Sequence, residues 1–174
     1  METKRLSLCV VICVLLLSNM SCDVQRFKDN NDGTVTDKRT GLIWLKNANP
    51  CDLKNWADAE SYCASLESGQ AGLIDDSVAG QWRLPTIYEL EQIGTNPPTT
   101  WDTGCNAGNP CVPWTTPDAP FIDVQSDDFY WSSTSPPDFA DYVRVLSMQY
   151  GSLATDSKTS FNSNHYVWPV RSGN

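Results

Sequence analysis

The chain has 174 residues, of which 40% are hydrophobic and 19% charged, and its formal net charge at pH 7 is −9. This acidic balance argues against nucleic acids and anionic membrane surfaces as partners. After the N-terminal segment no stretch is apolar enough to span a membrane, and the remaining length of about 150 residues is that of one domain with one core.

The N-terminal segment has the pattern of a secretory signal peptide. Lys4 and Arg5 are followed by an apolar run at 6–17, shorter than the roughly 20 residues that a spanning helix needs. We therefore expect residues 1–21 to be a signal peptide, 22–25 a short linker and 26–174 a single domain. Without residues 1–21 the chain keeps ten basic and twenty acidic side chains, a net charge of −10.

Cys22 lies directly after this segment, and a serine precedes it, which predicts a bacterial lipoprotein acylated at that cysteine. Asn19 stands where such signals usually carry an aliphatic residue, so ordinary cleavage and release of the protein is the alternative. The expected location is the cell envelope, facing the periplasm or the surface, or the secreted fraction. Membrane contact is expected only through the lipid anchor.

Four further cysteines lie in the expected domain, and an even number in an exported chain predicts two disulfides. Three connectivities are open, and we favour the two between sequence neighbours. A zinc site is the alternative, but the spacings differ from the usual Cys-x-x-Cys pairs. The favoured pairs are Cys51 with Cys63 and Cys105 with Cys111.

The first part of the domain predicts a meander of three short strands. Runs of β-forming residues at 26–28, 34–37 and 42–46 are separated by turn-forming clusters. The acidic cluster between the first two runs has the composition of a calcium loop. However, Lys28 and Arg39 would occupy ligand positions that need carboxylates, so a turn is predicted instead.

Two helices are predicted next. The first runs from Trp56 to about Leu66 and is capped by Asn55 or Asp52. An irregular loop at 68–80, rich in Gly, Ser and Asp, follows it.

The sequence WRLPTIYEL at 82–90 joins an extended segment to the second helix. Pro85 ends the extended segment, and Thr86 and Glu89 have the spacing of a capping box. The helix is expected to bury one apolar face, made of Ile87, Leu90 and Ile93. In the extended segment, Trp82 and Leu84 are expected on one buried side, with Arg83 as a buried or half-buried ion-pair partner.

Regular patterns disappear between residues 95 and 128, which contain six prolines. A loop of this length in a compact domain is usually functional or disordered, and its two tryptophans and predicted disulfide argue against disorder. Flat aromatic faces beside carboxylates suit a sugar ring or a protein surface. We therefore expect the ligand contacts to be Trp101, Asp102, Trp114 and Asp118. As alternatives, the tryptophans fill the core beneath the loop, or the carboxylates hold calcium or act in a hydrolase.

The last third of the chain is β in character, with strands predicted at 129–134, 140–148, 153–155 and 165–171. In the second of these, Val143 and Val145 are expected on one face and Leu146 and Met148 on the other. The single histidine, His165, lies within a strand pattern, which favours a structural role. No nucleophile elbow, phosphate loop or paired-histidine metal motif is present in the sequence.

Taken in order, several motifs resemble the Lcl C-terminal domain, the tail domain of a collagen-like bacterial adhesin that also occurs alone in exported proteins. The resemblance covers nearly everything after Gln25. The motifs are DGTVTD at 32–37, TGLIW at 40–44, WADA at 56–59, WRLPT at 82–86, YWSST at 130–134 and VWPVR at 167–171.

This resemblance implies an α+β fold of the C-type-lectin-like group, with two helices, a long irregular loop region and a twisted antiparallel sheet that brings the termini together. It further implies an exported, non-enzymatic binding or adhesion module for a glycan or an extracellular protein. The adhesin tail is associated with trimers and sulfated glycans. The chain has no collagen-like repeat and a net charge of −10, so the trimer is only one option and sulfated ligands fit poorly.

The resemblance leaves the cofactor and the enzyme alternative open. The Glu-Pro-Asn and Trp-Asn-Asp motifs of true C-type lectins are absent from the sequence. No cofactor is expected, with calcium as an open alternative. Formylglycine-generating enzymes share the fold group, but they use a cysteine pair late in the chain, and this sequence has no cysteine after Cys111. A hydrolase that uses the loop carboxylates is the remaining enzymatic alternative.

Overall fold

The computed structural model describes residues 25–93, 119–160 and 162–173, and this part of the chain has the predicted α+β composition. Its helices are α1 (Trp56–Ser65) and α2 (Ile87–Ile93). Its strands are β1 (Phe27–Asp29), β2 (Thr34–Asp37), β3 (Leu42–Leu45), β4 (Phe129–Trp131), β5 (Tyr142–Ser147), β6 (Leu153–Ser157) and β7 (Val170–Ser172).

The first sheet contains strands from both ends of the described chain. Its strand order is β1-β2-β3-β7, and all neighbours are antiparallel. Trp44 in β3 lies opposite Val170 in β7. The predicted meander of three strands is confirmed, and the last strand joins the same sheet beside the third.

The acidic cluster between β1 and β2 is a turn, as predicted. Oδ1 of Asp29 accepts from the amide of Asn31 at 2.9 Å, and Oδ1 of Asp32 accepts from the amide of Thr34 at 2.9 Å. The other oxygen of Asp29 pairs with Lys46 at 2.6 Å. These carboxylates are used inside the turn, since Asx-type bonds and an ion pair hold them.

Helix α1 begins and ends close to the predicted residues. Oδ1 of Asn55 accepts from the amide of Asp58 at 2.9 Å, so Asn55 is the N-cap. The helix buries Ala59 and Cys63. At its first turn, the indole Nε1 of Trp56 donates to the carbonyl oxygen of Ser132 at 3.0 Å, which fixes α1 to the chain just after β4.

The capping box of α2 is confirmed. The amide of Thr86 donates to Oε2 of Glu89 at 2.7 Å, and the amide of Glu89 donates to the hydroxyl of Thr86 at 3.3 Å. The amide of Ile87, in the first turn, also lacks a partner within the helix. It donates to the hydroxyl of Thr134 at 3.0 Å. The expected apolar face is buried: Ile87, Leu90 and Ile93.

The segment before α2 is anchored by its central arginine. The backbone of Arg83 exchanges two 3.0 Å hydrogen bonds with Val170, and its guanidinium makes a bidentate ion pair with Glu89 at 2.8 and 2.7 Å. The predicted half-buried ion pair is therefore confirmed. Trp82 and Leu84 are both 2% exposed, but they belong to different core clusters rather than to one, because the segment passes between the two.

The remaining strands form a second antiparallel sheet of order β4-β5-β6, whereas a single sheet was expected. The predicted final strand at 165–171 is interrupted, which separates the sheets. His165 and Tyr166 form isolated bridges, and only Val170–Ser172 joins the first sheet. Pro169 has no amide to donate to a ladder, although its carbonyl oxygen accepts from Leu45.

Two clusters of buried side chains form the core. Strand β5 contributes to both, as its alternation predicted. The first core cluster includes Trp44, Trp82, Leu90, Tyr130, Leu146, Met148 and Trp168. The second core cluster comprises Ala59, Cys63, Leu84, Trp131, Val143, Val145 and Val167.

The predicted disulfide between Cys51 and Cys63 is not formed: both cysteines are free thiols in the structure. Both belong to or pack against the second core cluster. The sulfur of Cys51 is directed instead toward the carbonyl oxygen of Asp52, at 3.9 Å. Cys22, Cys105 and Cys111 lie outside the described residues, so the second predicted pair is not addressed.

Candidate functional site

The four predicted ligand contacts lie outside the described residues. The structure does describe the last part of the 95–128 region, residues 119–128, which we call the return limb. It is irregular, as predicted, with one isolated bridge between Ile122 and Asn47. Its contacts show how the region is attached to the domain. The four predicted ligand contacts that lie outside the described residues are Trp101, Asp102, Trp114 and Asp118.

Backbone bonds attach the return limb to the chain after β3. The amide of Ile122 donates to the carbonyl oxygen of Lys46 at 3.0 Å, and the amide of Ala48 donates to the carbonyl oxygen of Ile122 at 2.9 Å. One residue earlier, the ring of Phe121 packs edge-on against Phe27 and Trp168, with centroids 5.1 and 5.0 Å apart. The start of the limb is therefore fixed by both main chain and aromatic packing.

Two tyrosine hydroxyls hold the second half of the return limb. Tyr130 accepts from the amide of Gln125 at 2.7 Å, and Tyr166 donates to Asp127 at 3.1 Å. Burial raises the pKa of both phenols, so each stays protonated over the physiological range. These two anchors of the limb are thus neutral phenol groups of the core.

The last residue of the limb takes part in a cluster around His165. Nδ1 of His165 lies 2.7 Å from Oδ1 of Asp128, and Nε2 lies 2.8 Å from Oδ2 of Asp156 in β6. The imidazole side chain is 10% exposed and packs against the ring of Trp131, with centroids 4.4 Å apart. Ionised carboxylates only accept, so both bonds form together when the imidazole carries both protons.

Asp156 is further tied into this cluster. Burial acts to raise the pKa of its carboxyl group, but bonds from the Ser163 hydroxyl, the Ser157 amide and His165 outweigh burial and lower it. Three parts of the chain meet here: the return limb, β6 and the segment before β7. The expected structural role of His165 agrees with this geometry. No sequence signal links it to carboxylates that lie 37 and 9 residues away.

The irregular region and its anchors other than Phe27 fall within a stretch that a family model recognises. The model of the Lcl C-terminal domain matches residues 33–171, which run from the turn before β2 into β7. The chain belongs to the Lcl C-terminal domain family. A search of curated proteins found no match. The resembling motifs identified from the sequence are therefore those of this family.

In this Lcl C-terminal domain, one polar cavity of about 220 Å³ lies beside β7. It is lined by Gln81, Arg83, Arg171, Ser172 and Gly173. Each guanidinium already has a carboxylate partner, Glu89 for Arg83 and the buried Asp75 for Arg171. The cations of the cavity are therefore balanced within the fold, which leaves no excess charge to attract an anion.

Neither a metal-binding group nor a membrane-spanning helix is found in the described ranges 25–93, 119–160 and 162–173. There, no group of three or more His, Cys, Asp or Glu side chains is placed to hold a metal ion. Nor does any helix among those residues have the length and apolar character needed to cross a membrane. Among the described loop carboxylates, Asp127 and Asp128 are bonded to Tyr166 and His165, whereas Asp123 is exposed. The hydrolase alternative would therefore depend on Asp123 or on Asp102 and Asp118, which lie outside the described residues.

Proposed function

We propose that this Lcl C-terminal domain is an exported, non-enzymatic binding and adhesion module of the bacterial cell envelope. It recognises a glycan or an extracellular protein through the 95–128 region. Its contacts are Trp101, Asp102, Trp114 and Asp118. Cys22 carries the lipid anchor, and no cofactor takes part.

The anchoring of the return limb carries this proposal. An irregular segment is held to the core by two backbone bonds, two tyrosine hydroxyls and the His165 cluster. Ordering a loop costs about 1–2 kcal/mol per residue in conformational entropy. A limb fixed during folding avoids that cost when a ligand binds, which is why binding loops are commonly carried by rigid scaffolds.

The chemistry of the proposed contacts favours uncharged or cationic partners. Tryptophan presents a large flat face and one N–H donor, which suits the apolar face of a sugar or a protein surface. Adjacent carboxylates accept hydrogen bonds from hydroxyl or ammonium groups. The net charge of −10 after removal of residues 1–21 disfavours polyanions, including sulfated glycans.

A glycan array and a pull-down of extracellular proteins, both with the chain that lacks residues 1–21, test the proposal. Trp101→Ala and Trp114→Ala are expected to weaken binding of the ligand found by at least tenfold, with the unfolding midpoint near that of the wild type. Tyr88→Ala is the matched control, because Tyr88 is an aromatic side chain on α2 that is 72% exposed. Unchanged affinity of both tryptophan variants, or an equal loss in Tyr88→Ala, would refute the site.

A further inference from the structure

A second surface with a ligand-binding character lies in the turn before β5. We call residues 136–142 the aromatic turn. Its two aromatic side chains project into solvent, with Phe139 60% and Tyr142 42% exposed. Large aromatic groups bury 150–250 Å² each when they are fully covered, so two neighbouring, partly exposed rings offer apolar surface that a partner can cover.

The aromatic turn is held by its backbone. The amide of Phe139 donates to the carbonyl oxygen of Pro136 at 3.2 Å, and the amide of Tyr142 donates to the carbonyl oxygen of Phe139 at 3.0 Å. The carbonyl oxygen of Asp141 accepts from the amide of Lys158 at 2.9 Å. The rings are therefore presented by consecutive hydrogen-bonded turns at the start of β5, the central strand of the second sheet, and binding needs little further ordering.

The two rings form a corner. Their centroids are 6.2 Å apart and their planes meet at 86°, so one ring stands perpendicular to the other. A corner encloses a compact group on two sides. The faces of aromatic rings carry negative electrostatic potential, which attracts cations placed within about 6 Å of the ring centre.

The charged residues near the corner also favour a cation. Asp138 and Asp141 flank the rings, both are exposed, and neither makes an ion pair within the described part of the chain. The nearest cation on the adjoining strand end, Lys158, is directed elsewhere, with its ammonium 4.5 Å from the ring centre of Trp56. The corner thus joins two ring faces to two uncompensated carboxylates.

We propose that the aromatic turn binds a lysine or arginine side chain of a basic segment in a partner protein. The perpendicular rings supply cation–π attraction, and Asp138 and Asp141 supply charge complementarity. The aromatic turn and the 95–128 region share no residue of the sequence. Failure of either proposal therefore leaves the other standing.

Binding of labelled peptides to the full chain, measured by fluorescence anisotropy in about 0.15 M salt, tests this inference. The probes are a peptide of alternating lysine and glycine, the same peptide with norleucine in place of lysine, and a neutral disaccharide. Only the lysine peptide is expected to bind. Phe139→Ala and Tyr142→Ala are each expected to weaken it by about threefold, and the double change Asp138→Asn with Asp141→Asn by at least as much.

Two variants control for general effects. Tyr88→Ala removes an exposed aromatic ring elsewhere, and Glu67→Gln removes an exposed negative charge elsewhere. Both are expected to keep wild-type affinity. If Glu67→Gln weakened binding of the lysine peptide as much as the Asp138 and Asp141 changes do, the binding would reflect only the general attraction of a basic peptide to an acidic protein. Wild-type affinity of the Phe139 and Tyr142 variants, or binding of the norleucine peptide or the disaccharide at this corner, would overturn the proposal.

Discussion

The indole Nε1 of Trp82 donates a hydrogen bond to the hydroxyl of Ser77 across 3.1 Å, and both side chains are buried. Ser77 in turn donates to Oδ1 of Asp75 at 2.7 Å, and Arg171 donates to the other oxygen at 3.1 Å. The guanidinium carbon of Arg171 lies 5.3 Å from the ring centre of Trp82, which completes a circle of four contacts. The irregular 68–80 loop is fixed in this way to the segment before α2 and to β7.

Replacing Trp82 by alanine is expected to lower the free energy of unfolding by about 3–5 kcal/mol, as large-to-small aromatic changes in cores do. Ser77→Ala is expected to cost about 1–3 kcal/mol, because it leaves the buried indole N–H of Trp82 without an acceptor. Chemical denaturation of the three proteins checks both values. Tyr88→Ala, which removes an exposed ring, is expected to be nearly neutral. A wild-type midpoint for Trp82→Ala would show that its burial contributes little.

The Arg83–Glu89 ion pair predicts a loss of stability in acid. Burial acts to raise the pKa of Glu89, but bonds from Arg83 and from the amide of Thr86 outweigh burial and lower it. A carboxyl group whose pKa is depressed by folding stabilises the fold above its unfolded pKa of about 4.3. This stabilisation is lost as the pH falls through the lower folded value.

Glu89→Gln should therefore destabilise the domain at pH 7 by about 1–3 kcal/mol, the contribution of a hydrogen bond to a charged group. The difference from the wild type should shrink as the pH falls from 5 to 2. Denaturation midpoints measured across this range check both points. Glu67→Gln, at an exposed carboxylate, should change neither. A difference between Glu89→Gln and the wild type that stays constant with pH would argue against the ion pair as its cause.

Features that depend on a few neighbouring residues were predictable from the sequence. The capping box of Thr86 and Glu89 depends on one spacing, and the two faces of β5 depend on alternation. The division into two sheets was not predictable, because it depends on which distant strands the 165–171 segment pairs with. The partners of His165 and the circle around Trp82 were missed for the same reason. Each joins side chains that no local pattern relates.

The free thiols of Cys51 and Cys63 predict low reactivity in the native state. Burial raises the pKa of Cys51 to about 11, and it raises that of the fully buried Cys63 as well. The thiolate is the reactive form, so both are expected to alkylate slowly at pH 8, Cys63 more slowly than Cys51. Iodoacetamide labelling followed by peptide mapping measures each site separately.

The same labelling in denaturant is expected to modify both cysteines fully, which serves as the control. In the unfolded chain both thiols have a pKa of about 8.5, which is lower than in the folded domain. As the pH rises above about 8.5, the thiols therefore ionise in the unfolded state but not in the folded one, and the free energy of unfolding should fall. Rapid native labelling of Cys63 would contradict its burial in the second core cluster.

Gly33 is the glycine for which the structure predicts the sharpest effect of substitution. Its φ is +87°, in the left-handed region that side chains rarely adopt, and a Cβ atom there would overlap the carbonyl oxygen of Gly72. Gly80 provides a matched control, because its φ is +89° but a Cβ atom there would meet nothing within 4 Å. The two glycines thus share the backbone strain and differ in the steric contact.

Gly80→Ala is expected to cost about 1–2 kcal/mol, the strain of a left-handed residue with a side chain. Gly33→Ala is expected to cost about 1–3 kcal/mol more, because the backbone of either the β1–β2 turn or the 68–80 loop must shift to admit the methyl group. Denaturant unfolding of both variants gives the difference. Equal losses would mean that the turn and the loop are not packed closely enough to exclude a side chain, and that Gly33 is needed only for its backbone conformation.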